Sequence, residues 1–299
     1  SASSAQDQYL YISTPSTTPV NFTIKQIGST NITGTVSKST PYAYNIGYGT
    51  DTQLMTPRIE ANSIRSDKGF IIEADDMVYA AVRVIAGNNN QAGALVSKGM
   101  AALGTRFRIG SLLNVTANPY TDNHYTFVSI MATENNTLVS FSDIKSGALL
   151  INNTAAGNTP SSIMLNSGES FVMAVEGPTN ANRDALIGSL VSSDKPIAVN
   201  CGSFTGSNAA TNLDLGFDQI VSAERTGKEY VFIKSTGQAD VEKVLLIADV
   251  NNTEVYLNNN AGLSDFTLSA GQYLVLDGNQ FISGSLYVRT SEKVFAYQT

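Results

Sequence analysis

The chain has 299 residues and a mass of 31.7 kDa; 42% of the residues are hydrophobic and only 14% are charged, which is ample for a core and excludes a chain disordered as a whole. A net charge of −7 with 18 Lys and Arg argues against nucleic acid or anionic membrane as partner, since both need clustered positive charge, and no apolar run approaches the roughly 20 residues of a membrane span. One Cys, one His and no Trp exclude an internal disulfide framework, a Cys- or His-rich zinc site, and any catalytic triad that does not use His124 as its base.

Taken in chain order, the first elements set a pattern that returns twice. Residues 11–22, YISTPSTTPVNF, combine an apolar strand, a polar turn ending in Thr and an alternating strand. Residues 130–141, IMATENNTLVSF, and 246–257, LIADVNNTEVYL, have the same form, with Thr18, Thr137 and Thr253 aligned and Val20, Val139 and Val255 after them. Phe22, Phe141 and Tyr256 or Leu257 close the unit. Residues 35–44, TVSKSTPYAY, match 164–173 and 267–276 as strand, turn and strand, with Ser39, Gly168 and Gly271 aligned; Gly at such a turn supplies positive φ without steric cost. Residues 70–82, FIIEADDMVYAAV, match 188–199 and 285–297 and read as a hairpin. Asp76, Asp194 and Glu292 mark its turn, and Ala80, Ala198 and Ala296 share register on the return strand. Two connectors, 94–109 and 219–233, share Val-Ser and then Gly-x-x-aromatic opening a strand. SKGMAALG suits one short helical turn, and no segment keeps a helical period over the roughly 10–12 residues a helix needs.

The predicted fold is all-β: three tandem β-sandwich, jelly-roll-like modules packed together, over 1–93, 94–218 and 219–299, the last two each including a connector. The alternative is a propeller-like arrangement in which half of each repeat forms a blade. The opening SASSAQDQ is small and polar, as a mature end left by signal cleavage would be. The final strand, VFAYQT, carries no capping turn after it, and the expectation is a piece of a longer chain whose next element covers that strand.

LGTRFRI (103–109), SIMATENNTLVSF (129–141), LVSSDKPIAVNCGS (190–203), DQIVSAERTGKEYVFI (218–233) and IADVNNTEVYL (247–257) together resemble the IgG Fc-binding protein N-terminal domain family, especially its bacterial surface-protein branch. The resemblance is strongest over about 125–299 and weak before residue 60. It implies a non-enzymatic extracellular module of a large secreted protein, in bacteria often exported by the type IX route; the repeated β-modules, the lack of a catalytic constellation and a polar, uncharged surface rich in Asn, Ser and Thr make adhesion or the building of a multimeric surface structure the expected role. No antibody-binding residue carries over onto this sequence. The single Cys201 rules out here any disulfide present in animal relatives.

Among residues that bear chemistry, His124 lies in a polar loop, PYTDNHYT, without a nucleophile motif beside it, and the expectation is no enzyme. Cys201 follows a core-facing strand, where a free Cys acts as a small hydrophobe. Two acidic groups, Glu73, Asp75 and Asp76 in one turn and Asp214 and Asp218 around NLDLGFD, are weak calcium candidates without the spacing of a known calcium loop. They are also the only pair that could serve a carboxylate hydrolase. Six Asn-x-Thr sites begin at Asn21, Asn31, Asn114, Asn135, Asn152 and Asn251, and turn chemistry is their economical cause. Tyr42, Tyr44 and Tyr48 cluster in PYAYNIGYG. Tyr48 stands between two glycines that leave its ring little cover, so Tyr48 and Tyr44 are the candidate contact residues. The expected partners are other copies of the chain, neighbouring domains of a longer chain, or a cell-surface protein or glycan; the alternative function is a calcium-assisted lectin-like module.

Overall fold

The computed structural model describes residues 6–86, 91–113, 125–152, 159–176, 182–208 and 214–299. Its strands are Gln6–Ser13 (β1), Val20–Gln26 (β2), Ile32–Val36 (β3), Tyr42–Gly47 (β4), Ile64–Arg65 (β5), Phe70–Ala74 (β6), Tyr79–Ala86 (β7), Gln91–Val96 (β8), Gly104–Arg108 (β9), Tyr125–Ala132 (β10) and Thr137–Ser142 (β11). They continue with Ser162–Leu165 (β12), Ser170–Glu176 (β13), Leu190–Gly206 (β14), Asp214–Ile220 (β15), Gly227–Ile233 (β16), Lys243–Ala248 (β17), Thr253–Leu257 (β18), Phe266–Leu268 (β19), Tyr273–Asp277 (β20) and Ser285–Gln298 (β21). The only helical turns among the described residues are four short 3-10 turns. One is Gly99–Ala102, within the SKGMAALG stretch. The protein is all-β, as predicted.

One strand order occurs three times. The second set runs β12-β11-β14-β10-β13 and the third β19-β18-β21-β17-β20. The first has the same order with its long strand cut in two, giving β3-β2-β6 and β4-β1-β7. In the second set, the first half of β14 pairs with β11 and β9, and its second half with β10 and β15. The long strand therefore passes from one layer of a sandwich to the other, and the core lies between the layers.

This corrects the predicted hairpins. Residues 190–206 are a single strand, and β6 and β7 pair with β2 and β1 instead of with each other. The acids sit where the chain turns the corner. Between Arg106 and Gly104, β9 advances two residues while β14 advances from Ser192 to Ile197; between Glu229 and Gly227, β16 does the same against Arg289 to Val294 of β21. Extra residues on one strand bend it and re-aim its side chains, as a bulge does at a sandwich corner. Asp194 accepts the Leu138 N–H there (2.9 Å), and Glu292 pairs with Lys228 (3.3 Å). The three alanines do not share register either. Ala80 pairs with Ile12 and faces the core, Ala296 pairs with Leu246 on the core face, and Ala198 lies between the core residues Ile197 and Val199, hence on the opposite face.

Each set closes its own apolar cluster from alternate residues. Leu10, Ile12, Phe22 and Ile24 centre the first, Phe107, Ile130, Phe171 and Val199 the second, and Leu246, Val255, Leu286 and Val288 the third. The repeated turns are built alike. Thr137 and Thr253 are fully buried and donate to the carbonyls of Glu134 (2.7 Å) and Val250 (2.8 Å). The second Asn of each Asn-Asn-Thr, Asn136 and Asn252, takes positive φ (53° and 59°), while the first accepts from the next turn: Asn135 from the Ser167 N–H, Asn251 from the Ala270 N–H. Asn adopts such left-handed positions more readily than most residues, so these motifs serve the turns. Thr18 departs from the pattern: it is exposed, with its N–H bonded to the Ser16 hydroxyl.

Candidate functional site

The predicted contact residues separate, Tyr44 lying on β4 and Tyr48 in the bend that follows it. Tyr44 packs inward with Tyr42 against the first core, its ring edge-on to Phe70 and its hydroxyl donating to Gln26 Oε1 (3.0 Å). Tyr44 thus belongs to the core face, a matter period-2 alternation alone leaves open. Tyr48 is 64% exposed and lies near Tyr9, whose phenol is raised chiefly by the charge of Asp7 and further by Tyr48 and Tyr11, with Arg83 opposing. Strand register places Tyr9, Tyr11 and Ser13 of β1 beside Arg83, Ala81 and Tyr79 of β7, with Val96 of β8 next to Ala81. The Tyr9 and Tyr11 rings stack at 5.9 Å, and Arg83, Tyr79 and Val96 are exposed. The outer face of this sheet therefore presents tyrosines around an arginine, the composition that enriches protein interfaces. Sequence pattern missed Tyr9, Tyr11 and Tyr79. The alternation of Tyr9 and Tyr11 with Leu10 and Ile12 is the signal that those two face outward.

The acidic candidates are engaged separately. Asp75 accepts from the Asn21 amide (2.7 Å) and Asp76 from the Met77 N–H (2.7 Å), both at the corner between β6 and β7. Asn21, Thr23, Glu73 and Asp75 line a shallow depression of about 320 Å³. Asp214 accepts from the N–H groups of Ala92 and Leu215 (both 2.8 Å), and Asp218 pairs with Lys98 (2.5 Å). These two tie β15 to β8 of the first set, where Gly93 lets Leu215 and Phe217 approach closely. Among the described residues, no three His, Cys, Asp or Glu side chains lie together as a metal group. His124 lies outside the described residues.

The paired arginines of LGTRFRI have a structural cause. Arg108, 1% exposed, donates Nε to Asp249 (2.9 Å) and Nη1 to Asp143 (2.5 Å) and to the Gly188 carbonyl (3.0 Å). Arg106 grips the same Asp249 with two bonds of 2.8 and 2.9 Å. Asp249 belongs to IADVNNT of the third set, so the second and third sets are joined through one carboxylate between two guanidinium groups. Around it, Leu113 and Ile187 bury Leu245, Ile247 and Phe295. Tyr297 donates to the Arg108 carbonyl (2.6 Å), and its ring lies where a Gly110 side chain would be.

Cys201 is buried beside Tyr297, and burial pushes its thiol up to about 12. The thiolate is the reactive form. In native buffer at pH 8, Ellman's reagent is therefore expected to leave Cys201 unmodified over hours and to titrate one thiol in denaturant. Rapid native modification would contradict the burial.

The repeated strand order, the charge-locked seam and the outward tyrosine face belong to one all-β protein. The IgGFc binding protein family matches over residues 92–299, more than half of the chain, and the chain belongs to that family. No curated protein and no solved structure matches. Membership points to an extracellular, surface-type module that binds protein partners. Among the described residues, no helix is long and apolar enough to cross a membrane.

Proposed function

We propose that the chain is a non-catalytic module of a large secreted bacterial surface protein, acting in attachment or in building a multimeric surface structure through protein contacts. The observation that carries this reading is the outward tyrosine face of β1 and β7 with exposed Tyr48 beside it. Tyrosine and arginine supply contact area and polar tips at little conformational cost, which suits a binding surface better than a reaction centre.

The reading is tested with a photo-crosslinking residue at Tyr48 in the secreted protein at the surface of the producing cells. Covalent adducts with protein, lost when Tyr9 and Tyr79 are changed to Glu, are the expected result. An absence of protein adducts together with saturable, calcium-dependent binding on a glycan array would overturn it in favour of the lectin-like alternative.

A further inference from the structure

The repeated strand order allows each set to be laid on the next, residue by residue. The shared corner geometry makes Arg106 equivalent to Glu229, Arg108 to Val231 and Gly110 to Ile233. On the other side of the sandwich, Tyr11 pairs with Ala81 and Tyr9 with Arg83, as Ile247 pairs with Phe295 and Leu245 with Tyr297. Tyr9, Tyr11 and Arg83 of the first set thus stand where the third has Leu245, Ile247 and Tyr297.

Both positions are covered inside the molecule wherever a neighbouring set exists. Leu245 and Ile247 are buried at 2% and 0% against Leu113 and Ile187 of the second set. Met131, at the Tyr11 position of the second set, lies against Gly69 of the first. At the two ends of the array, among the described residues, no neighbouring set lies on these faces: on the first, Arg83 is exposed and Tyr9 and Tyr11 are half-buried. Tyr79 and Val96 on the first face are 52% and 56% exposed, and Val231 and Ile233 on the last are each 64% exposed. Ile282, in the turn ahead of β21, is 60% exposed, whereas the corresponding turn of the second set buries Leu186 and Ile187. Apolar β-branched residues on an exposed edge strand are otherwise selected against, because such edges associate.

We infer that the uncovered face at one end receives the uncovered face at the other: the tyrosine face of the first set in one copy docks on the Val231–Ile233 end of the third set in a second copy. The occupant is a second copy of this chain because the internal seam already joins the equivalent surfaces of the second and third sets, Tyr297, Leu245 and Ile247 of one lying against Arg108, Gly110 and Leu113 of the other. The two surfaces differ, so the contact is head-to-tail and propagates into a chain of copies instead of stopping at a symmetric dimer. This assigns a partner to the tyrosine face and rests on the proposed function.

The test is sedimentation velocity of the 299-residue protein over rising concentration, with two double variants. Val231→Lys with Ile233→Lys alters only the last face, and Tyr79→Lys with Val96→Lys only the first. All four positions are exposed, so an unchanged thermal midpoint shows that folding is intact. The wild type is expected to form a ladder of oligomers. Each variant alone should remain monomeric, its dissociation constant raised at least about 30-fold, the scale of losing a close interfacial contact. An equal mixture of the two should give a dimer and nothing larger, because each supplies the face the other lacks. A wild type that stays monomeric at roughly 1 mM, the weak end of specific association, overturns the inference. So does a mixture that stays monomeric while the wild type oligomerises. If Tyr48 crosslinks to other proteins while the chain stays monomeric, the head-to-tail contact fails and the proposed function stands; protein adducts absent on cells together with saturable, calcium-dependent glycan binding remove the function itself.

Discussion

Asp249→Ala is expected to lower stability by about 3–5 kcal/mol, the range for breaking a buried ion pair by deleting one partner. Arg108 would keep Asp143 and the Gly188 carbonyl, but its Nε would lose its acceptor in a site that is 2% accessible to solvent. Arg106 would lose both of its bonds to the same carboxylate. Acid should reproduce part of the effect. Burial pushes the Asp249 carboxyl up, yet the hydrogen bonds and charges of Arg106 and Arg108 outweigh it and hold the group below the usual carboxylate range. The folded state then binds fewer protons than the unfolded one in acid, so this stabilisation is complete above pH about 5 and disappears as pH falls from about 4 through the depressed value. Asp249→Asn keeps the shape without the charge, and its stability should vary less with pH below about 4 than that of the wild type. Urea unfolding across a pH series measures both, and an Asn variant with an unchanged acid slope would show that the seam does not govern acid stability.

The second large effect is expected at Gly188→Ala. Gly188 holds φ at +84°, and a Cβ built there lies 2.0 Å from the Gly271 carbonyl oxygen. The obstacle is backbone, so no rotamer change relieves it, and the two sets must separate locally. Left-handed backbone costs about 1–2 kcal/mol for a non-glycine residue, and overpacking adds about 1–3 kcal/mol. Gly284→Ala is the internal control. It also lies ahead of its long strand, with φ at +81°, but nothing lies within 4 Å of its Cβ. That variant should show only the conformational cost, about 1–2 kcal/mol. Thermal midpoints of the pair distinguish contact from conformation; equal losses would mean that the approach of Gly188 to Gly271 is immaterial.

The glycine pair also shows how the repeats diverge. The same backbone geometry is retained at both places, but only one of them meets a neighbour. A covered set and an uncovered one share the same sandwich and differ in whether another set lies against it. That is the expected behaviour of repeat architectures, in which neighbouring interfaces add stability and terminal surfaces are special.

The all-β class was legible from period-2 alternation and the lack of a helical period, since both depend on local side-chain direction. The Asn-Asn-Thr turns were legible for the same reason, but the positive φ falls on Asn136 and Asn252, one residue past Asn135 and Asn251, the positions to which turn chemistry alone would assign it. What alternation does not encode is partnership between distant strands. Asp194 and Glu292 look like hairpin turns because an acid between two apolar runs is compatible with either a reversal or a bent strand. The neighbours β9 and β16 decide for the bend. Likewise Tyr42, Tyr44 and Tyr48 form one cluster in sequence, yet Phe22 and Phe70 draw the first two into the core while Tyr48 stays outside. Arg108 and Asp249 are separated by 141 residues, and no local signal links them. Local sequence determined the elements, because each depends on neighbours a few residues away; only the tertiary structure decided which faces are buried, because burial depends on the strand or repeat that comes to lie opposite.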